Sequence, residues 1–323
     1  MAPQKPWFFL TSGFDDYTSS GRVYDPCSLR WHNFGFPGLD KSILQTSSSN
    51  GLVCLMSRED RRRLLVGNPI TRDWRRLPQL PGGGIGPDYN ALALWFDRRT
   101  CGYTVVVAKF TSTQLRVNNL RWNFSVHIYE STTQSWAMPL AGDLGSWIGG
   151  EAGVVCDGVF YYLIRTPDTE LRPHLVAFDL AKPPSTIQSV IQEAIPAPCP
   201  LVCARLINVS GKLVMVGGMV RDARRIDVLT IWELKDKTWQ WQAGMPLPTY
   251  VSLDAIRKNF ICCSAGDLVF IQCVKLQTAL LTFDMRQKVW DVKLCPYYRD
   301  FKTVYKTKFF HGFCFEPRLD VTS

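Results

Sequence analysis

Four histidines, eleven cysteines and three clusters of arginine are the side chains with the widest chemical repertoire in this 323-residue chain. Histidine can carry a proton near neutral pH or hold a metal. Thiolates act as nucleophiles and soft ligands, and arginine grips carboxylates or phosphates with a planar two-pronged head. His32, His127, His174 and His311 stand in unrelated surroundings, so a shared metal site is not expected. Cys199 and Cys203 come nearest to a metal pair, but no CxxC, second pair or adjacent histidine supports them. Most other cysteines sit in apolar runs such as GLVCLM, AGVVCDG and NFICCSAG, as small buried hydrophobes of a reducing compartment do. No GxSxG, HExxH or P-loop occurs, and the PGGGIGP stretch at 81–87 leads into a strand rather than a helix. Neither a catalytic centre nor a cofactor is therefore expected. The arginines are left: Arg58, Arg61, Arg62 and Arg63, then Arg116 and Arg121 beside Lys109, then Arg221, Arg224 and Arg225.

The elements that must position them follow from a repeat. An aromatic, then an acid or amide, then a tryptophan seven residues on recurs as Tyr24-Asp25…Trp31, Tyr129-Glu130…Trp136, Trp232-Glu233…Trp239 and Phe283-Asp284…Trp290. Gly67-Asn68…Trp74 keeps the spacing without the aromatic, and Phe178-Asp179 begins a copy that lacks the tryptophan. The copies return at intervals of roughly 50 residues, as in kelch-type propeller blades. Each reads as a hairpin: a strand ends in the aromatic, the Asp, Asn or Glu side chain bonds the turn backbone, and the next strand brings the tryptophan back across it. A large ring at a fixed strand position suits the wedge between packed blades better than a ligand site.

With strands lettered a to d, blades are expected at about 43–78, 91–140, 151–198, 203–244 and 257–295. The fourth strand of the 151–198 blade is unassigned, because KPPSTIQSVIQEAI reads equally as a loop or a short helical turn. The first blade, about 7–35, supplies only b, c and d, and the unpartnered segment 308–316 is its missing a strand. The fold class is thus an all-β, six-bladed kelch-like β-propeller in one domain over 1–323, closed by the C-terminal strand joining the first blade. Closure removes the unpaired edges that an open ring would expose.

In such a ring the b–c loops and the d–a connections share a face, and the arginine clusters fall in the b–c loops of blades two, three and five. Much of the net charge of +9 would lie there, suiting an acidic or phosphorylated protein client. Arg61, Arg62, Arg63, Arg116, Arg221, Arg224 and Arg225 are the candidate partner-binding residues, with Trp147 and Tyr250 as aromatic anchors or inter-blade packing. Lys and Arg are interleaved with acids, without the long basic run of a nucleic-acid binder. No leader and no apolar run long enough for a membrane span is seen, so a cytoplasmic or nuclear protein is expected. The alternative, an enzyme or small-ligand binder using the central channel, needs polar or titratable inner strands. The a strands read as mostly apolar.

The stretches PWFFL (6–10), YDPCSLRWHNF (24–34), SSNGLVCL (48–55), GNPITRDWRRLP (67–78), CGYTVVVAKF (101–110), FSVHIYESTTQSW (124–136), DGVFYYL (157–163) and HGFCFEP (311–317) resemble the kelch-type propeller of plant F-box proteins. The resemblance spans nearly the whole chain. It implies the substrate-recognition module of an SCF-type E3 ubiquitin ligase. In that group an F-box ahead of the propeller docks on the SCF adaptor. Residues 1–6 lead straight into the first strand, so adaptor docking is expected only where an F-box precedes it. The kelch diglycine survives once, as Gly217-Gly218.

Overall fold

The computed structural model describes residues 5–12, 20–35, 43–57, 60–81, 89–114, 120–166, 172–183, 186–222, 225–247, 260–273, 279–294 and 310–323. The repeated hairpins form as their turn chemistry dictates. Asp25 Oδ1 accepts from Cys27 N at 2.8 Å, Asn68 Oδ1 from Ile70 N at 2.9 Å and Asp284 Oδ1 from Arg286 N at 2.8 Å. Each side chain replaces a turn bond that the backbone would otherwise lack. Across those turns Tyr24 faces Trp31, Tyr129 faces Trp136 and Phe283 faces Trp290, with ring centroids 5.4, 5.4 and 4.8 Å apart.

Six four-stranded antiparallel sheets result, and the chain is a six-bladed β-propeller. Blade one holds β1 (Trp7–Ser12), β2 (Ser20–Asp25) and β3 (Arg30–Gly35). Blade two holds β4 (Ile43–Ser49), β5 (Leu52–Ser57), β6 (Leu64–Asn68) and β7 (Asp73–Arg76). Blade three holds β8 (Tyr89–Asp97), β9 (Gly102–Gln114), β10 (Leu120–Glu130) and β11 (Ser135–Asp143). In blade four, β12 (Ile148–Cys156), β13 (Val159–Arg165) and β14 (His174–Asp179) precede helix α1 (Ile187–Gln192) and the two-residue strand β15 (Ile195–Pro196). Blade five holds β16 (Leu201–Val209), β17 (Lys212–Asp222), β18 (Arg225–Lys235) and β19 (Thr238–Pro246). Blade six holds β20 (Phe260–Ala265), β21 (Leu268–Cys273), β22 (Ala279–Asp284) and β23 (Val289–Leu294), and β24 (Phe310–Phe315) returns to pair with β1.

Six apolar clusters fill the six seams between neighbouring blades. The repeated tryptophans lie in them: Trp31 at seam six–one, Trp74 at one–two, Trp136 at two–three, Trp239 at four–five and Trp290 at five–six. Seam three–four receives none, because the copy beginning at Phe178 lacks its tryptophan. There α1 supplies the bulk: Ile187 and Val190 enter the cluster, and Ile187 Cδ1 lies 2.9 Å from where a Cβ on Gly142 would stand. The KPPSTIQSVIQEAI ambiguity resolves to this helix, capped by Thr186 Oγ1 accepting from Ser189 N at 3.2 Å.

The hairpin of blade five departs from the repeat. A two-residue turn, Asp236-Lys237 with φ of 50° and 58°, joins β18 to β19, so Trp239 lies opposite Leu234. A bulge between Ile231 and Trp232 brings Trp232 against Trp241, at 4.9 Å and edge-on. Glu233, expected to open the turn, is mid-strand and pairs with Lys212 at 3.3 Å. A turn with both residues at positive φ is shorter than those of the other blades, and the pairing shifts to match.

Beyond β24 the chain reaches blade two. Asn68 Nδ2 donates to the carbonyls of Arg318 and Val321, each at 2.8 Å. Asp73 Oδ2 accepts from Ser323 N at 3.1 Å, and Val321 is buried in the seam between blades two and three. Closure therefore engages two blades, one by strand pairing and one by side-chain capture.

Candidate functional site

The faces of the ring differ in relief. On the face of the b–c loops, paired β9 and β10 extend to Gln114 opposite Leu120, and β17 and β18 to Asp222 opposite Arg225. Between them, paired β13 and β14 end at Ile164 opposite His174. Eleven positions pair in β9–β10 and eight in β17–β18 against six in β13–β14, so at about 3.3 Å per residue blade four's hairpin ladder is roughly 7–17 Å shorter than its neighbours'. The strand limits expected from sequence were short here: Lys109 and Arg121 are strand residues, not loop residues. Lys109 is buried inside blade three, donating to Pro81 O at 3.2 Å, and contributes no surface charge.

The blade-two cluster is built around Asp60. Arg62 Nε lies 3.4 Å from Asp60 Oδ1 and Arg63 Nε 3.3 Å from Oδ2, while the Arg63 N–H donates to Asp60 O at 2.8 Å. Partial desolvation pushes the Asp60 carboxyl up, but the Arg62 N–H and guanidinium, with Arg63 beside them, outweigh this and hold it below the usual carboxylate range. Arg62 also reaches Gln79, whose side-chain amide, turned so that its oxygen faces the guanidinium, accepts from Nη2 at 2.9 Å. The loop is thus tied down from within, and the side chains of Arg62 and Arg63 remain 46% and 60% exposed. Arg61 follows Asp60 in the same turn and is half-buried.

Arg221 and Arg225 stand at the end of the β17–β18 hairpin, Arg221 within a register shift and Arg225 opposite Asp222. Arg116, Arg224 and Tyr250 lie outside the described residues. Trp147, in the connection entering blade four, packs edge-on against His174 at 5.1 Å and against the cluster of seam three–four. It is half-buried inter-blade packing with one edge near the loop face. Burial lowers the His174 pKa, opposed by a hydrogen bond to the Arg172 backbone and aided by the Arg172 charge. Arg172 and Arg165, which carried no repeat signal, stand at the b–c end of blade four, with Arg172 Nε donating to Ala197 O at 2.9 Å. No cluster of three metal-ligating side chains occurs among the described residues.

The opposite face opens into a central channel of about 710 Å³, lined by the ends of all six a strands. The a strands keep many apolar residues along that wall, and Ser47, Ser49, Asn208 and Ser264 stand among them. Ser47 and Ser49 accept from Leu94 N and Phe96 N of blade three at 2.8 and 3.1 Å. Asn208 donates to Val155 O at 2.9 Å, Ser264 to Asn208 O at 2.5 Å, and Ser48 to Cys314 O. An a strand pairs only with b, so its inner edge presents backbone groups that need partners. These side chains supply them from the neighbouring blade. The serine run Ser47–Ser49 of β4 is the sequence signal for it, with Ser47 and Ser49 turned to blade three and Ser48 to blade one.

Residues 36–257 match the family model described as F-box protein At3g26010-like, beta-propeller. The chain is 36% identical over 330 residues to the F-box/kelch-repeat protein At3g61590 of Arabidopsis thaliana, covering 98% of this chain and 78% of that protein. It is 24% identical to F-box only protein 6 of the same plant, covering 79% of this chain and half of that protein. The solved "Structure of YjhT" is similar with a TM-score of 0.49 at 13% identity, over 79% of this chain and 85% of that one. The fold, its closure and the matched residues agree, and the chain belongs to the F-box protein At3g26010-like β-propeller family.

Proposed function

We propose that this propeller is the client-binding module of an F-box-type ubiquitin-ligase subunit and takes an acidic or phosphorylated protein segment across its b–c loop face. The relatives are an F-box/kelch-repeat protein and an F-box only protein, which supports a protein-interaction role rather than an enzymatic one. The observation that carries the reading is the relief of that face: the long hairpins of blades three and five flank the shorter strands of blade four. Arg165 and Arg172 lie at the ends of those shorter strands and Arg221 and Arg225 at the end of the β17–β18 hairpin, with Arg61, Arg62 and Arg63 on the next blade beyond blade three. Guanidinium groups at such a site pair carboxylates or phosphates two bonds at a time. Bound in the cytosol or nucleus, the client would be presented to the ligase through whatever F-box accompanies the propeller.

Doubly reversing charge with Arg221→Glu and Arg225→Glu, in a chain that still melts at the wild-type temperature, is expected to weaken capture of an acidic phosphopeptide library at least tenfold. It should also flatten the salt dependence of capture. Unchanged capture would reject this face.

A further inference from the structure

At the seam where the ring closes, the a strands meet through sulfur. Four other seams are joined near the channel by a Ser or Asn side chain bonded to the neighbouring backbone. At seam three–four, Gly153 lets β12 come close to Ala91 of β8. Seam six–one instead sets Cys263 of β20 against Cys314 of β24, with their sulfurs 2.7 Å apart. Both line the central channel, Cys263 half-buried and Cys314 1% exposed. The strands carrying them are held by the cluster of Phe8, Phe270 and Leu280, with Phe8 and Phe270 stacked at 5.6 Å.

We propose that Cys263 and Cys314 are a modification site for peroxide-type oxidants, which convert the pair into a disulfide that staples the closing strand to blade six. A disulfide needs side chains already aimed at one another across neighbouring strands, with sulfurs able to close to about 2.05 Å. Here β20 and β24 share no ladder, yet they already hold the two sulfurs 2.7 Å apart. The chemistry balances with hydrogen peroxide as the sole oxidant. The Cys263 sulfur, nearer the channel, attacks one peroxide oxygen; the S–O bond forms, the O–O bond breaks, and hydroxide leaves as water with the thiol proton. Cys314 then attacks that sulfur, the S–S bond forms, and the S–O bond breaks to release a second water. Two electrons pass from the thiols to the peroxide oxygens.

Burial pushes both thiols up, Cys263 well above its ordinary value. Little thiolate exists at neutral pH, so the pair reacts slowly there and faster as pH rises. Cys262, next in sequence, faces the other way into the cluster of seam five–six and is no competitor for Cys314.

The link would enclose a loop of 51 residues containing most of blade six. Constraining a loop of that size raises the thermal midpoint of a chain this long by about 5 °C. The test is peptide mapping of the purified chain after peroxide treatment and alkylation, without reductant, beside thermal melts. A Cys263–Cys314 linked peptide, a higher midpoint and reversal of both by dithiothreitol are expected. Cys263→Ser and Cys314→Ser should each abolish the shift. The proposal is overturned if both cysteines are recovered alkylated once exposed Cys27 and Cys101 are oxidised, or if Cys262–Cys263 is the linked pair. The wild-type map decides even if a variant does not fold.

Discussion

Asn68 shows how one side chain can serve two levels of structure. Its Oδ1 closes the turn of blade two, and its Nδ2 holds two carbonyls of the segment after β24, all with no exposure. Replacing it by Ala would strand two buried carbonyls and a turn N–H. The expected loss is about 2–4 kcal/mol in denaturant unfolding. The turn role was legible in GNPIT, since the amide stands where other repeats carry Asp. The capture of the distant segment was not, because the partners are backbone carbonyls with no sequence signature. His127 is the second case. It is buried beside Lys109, with Ser125 Oγ 3.0 Å from Nε2, and burial first, then the lysine charge, lower its pKa to about 4. An unfolded chain takes up a proton below about pH 6.5, whereas the folded chain refuses it until about pH 4. The stability contributed by neutral His127 is therefore complete above pH 6.5 and shrinks by up to about 3 kcal/mol as pH falls to 4. In His127→Gln the slope of unfolding free energy against pH should flatten over that interval.

At the level of hairpins, the sequence pattern and the structure agree wherever the turn has the same length. The spacing of seven between aromatic and tryptophan is a turn-length measurement, and it placed Trp31, Trp136 and Trp290 correctly opposite their partners. IWELKDKTW carries the same spacing by coincidence of residue types: its two-residue turn and bulge pair Trp232 with Trp241 instead. Nothing in residue types distinguishes a four-residue turn from a two-residue one plus a bulge when both contain Asp and Lys. The turn makes its own prediction. Lys237 sits at a φ of 58°, a conformation glycine adopts without strain. Lys237→Gly should raise stability by about 0.5–1 kcal/mol, seen as a small increase in melting temperature. The salt bridge that it forfeits, to Glu193 at 3.8 Å between highly exposed groups, is worth little. Helix α1 was ambiguous for a related reason: a missing tryptophan shows that a wedge is empty, not what fills it.

For the whole molecule, the ring was readable from the count of repeats and from an a strand missing at one end and spare at the other. The loop face was less readable, because strand length sets its relief and Lys109 proved to be interior. Removing 308–323 would take β24 from β1, Cys314 and Phe315 from two seams, and Val321 from a third. The truncated chain is expected to lose cooperative thermal unfolding altogether, and a differential scan with the full-length midpoint would contradict it. The closing strand has a further consequence for biosynthesis. β1 is made before every other strand of the ring, yet its inner neighbour β24 is the last strand made. Until β24 emerges, blade one presents a bare edge and the nascent ring one uncovered flank. Native cooperativity can arise only once β24 is available to pair with β1, and the interval before it is when the ring most needs a chaperone.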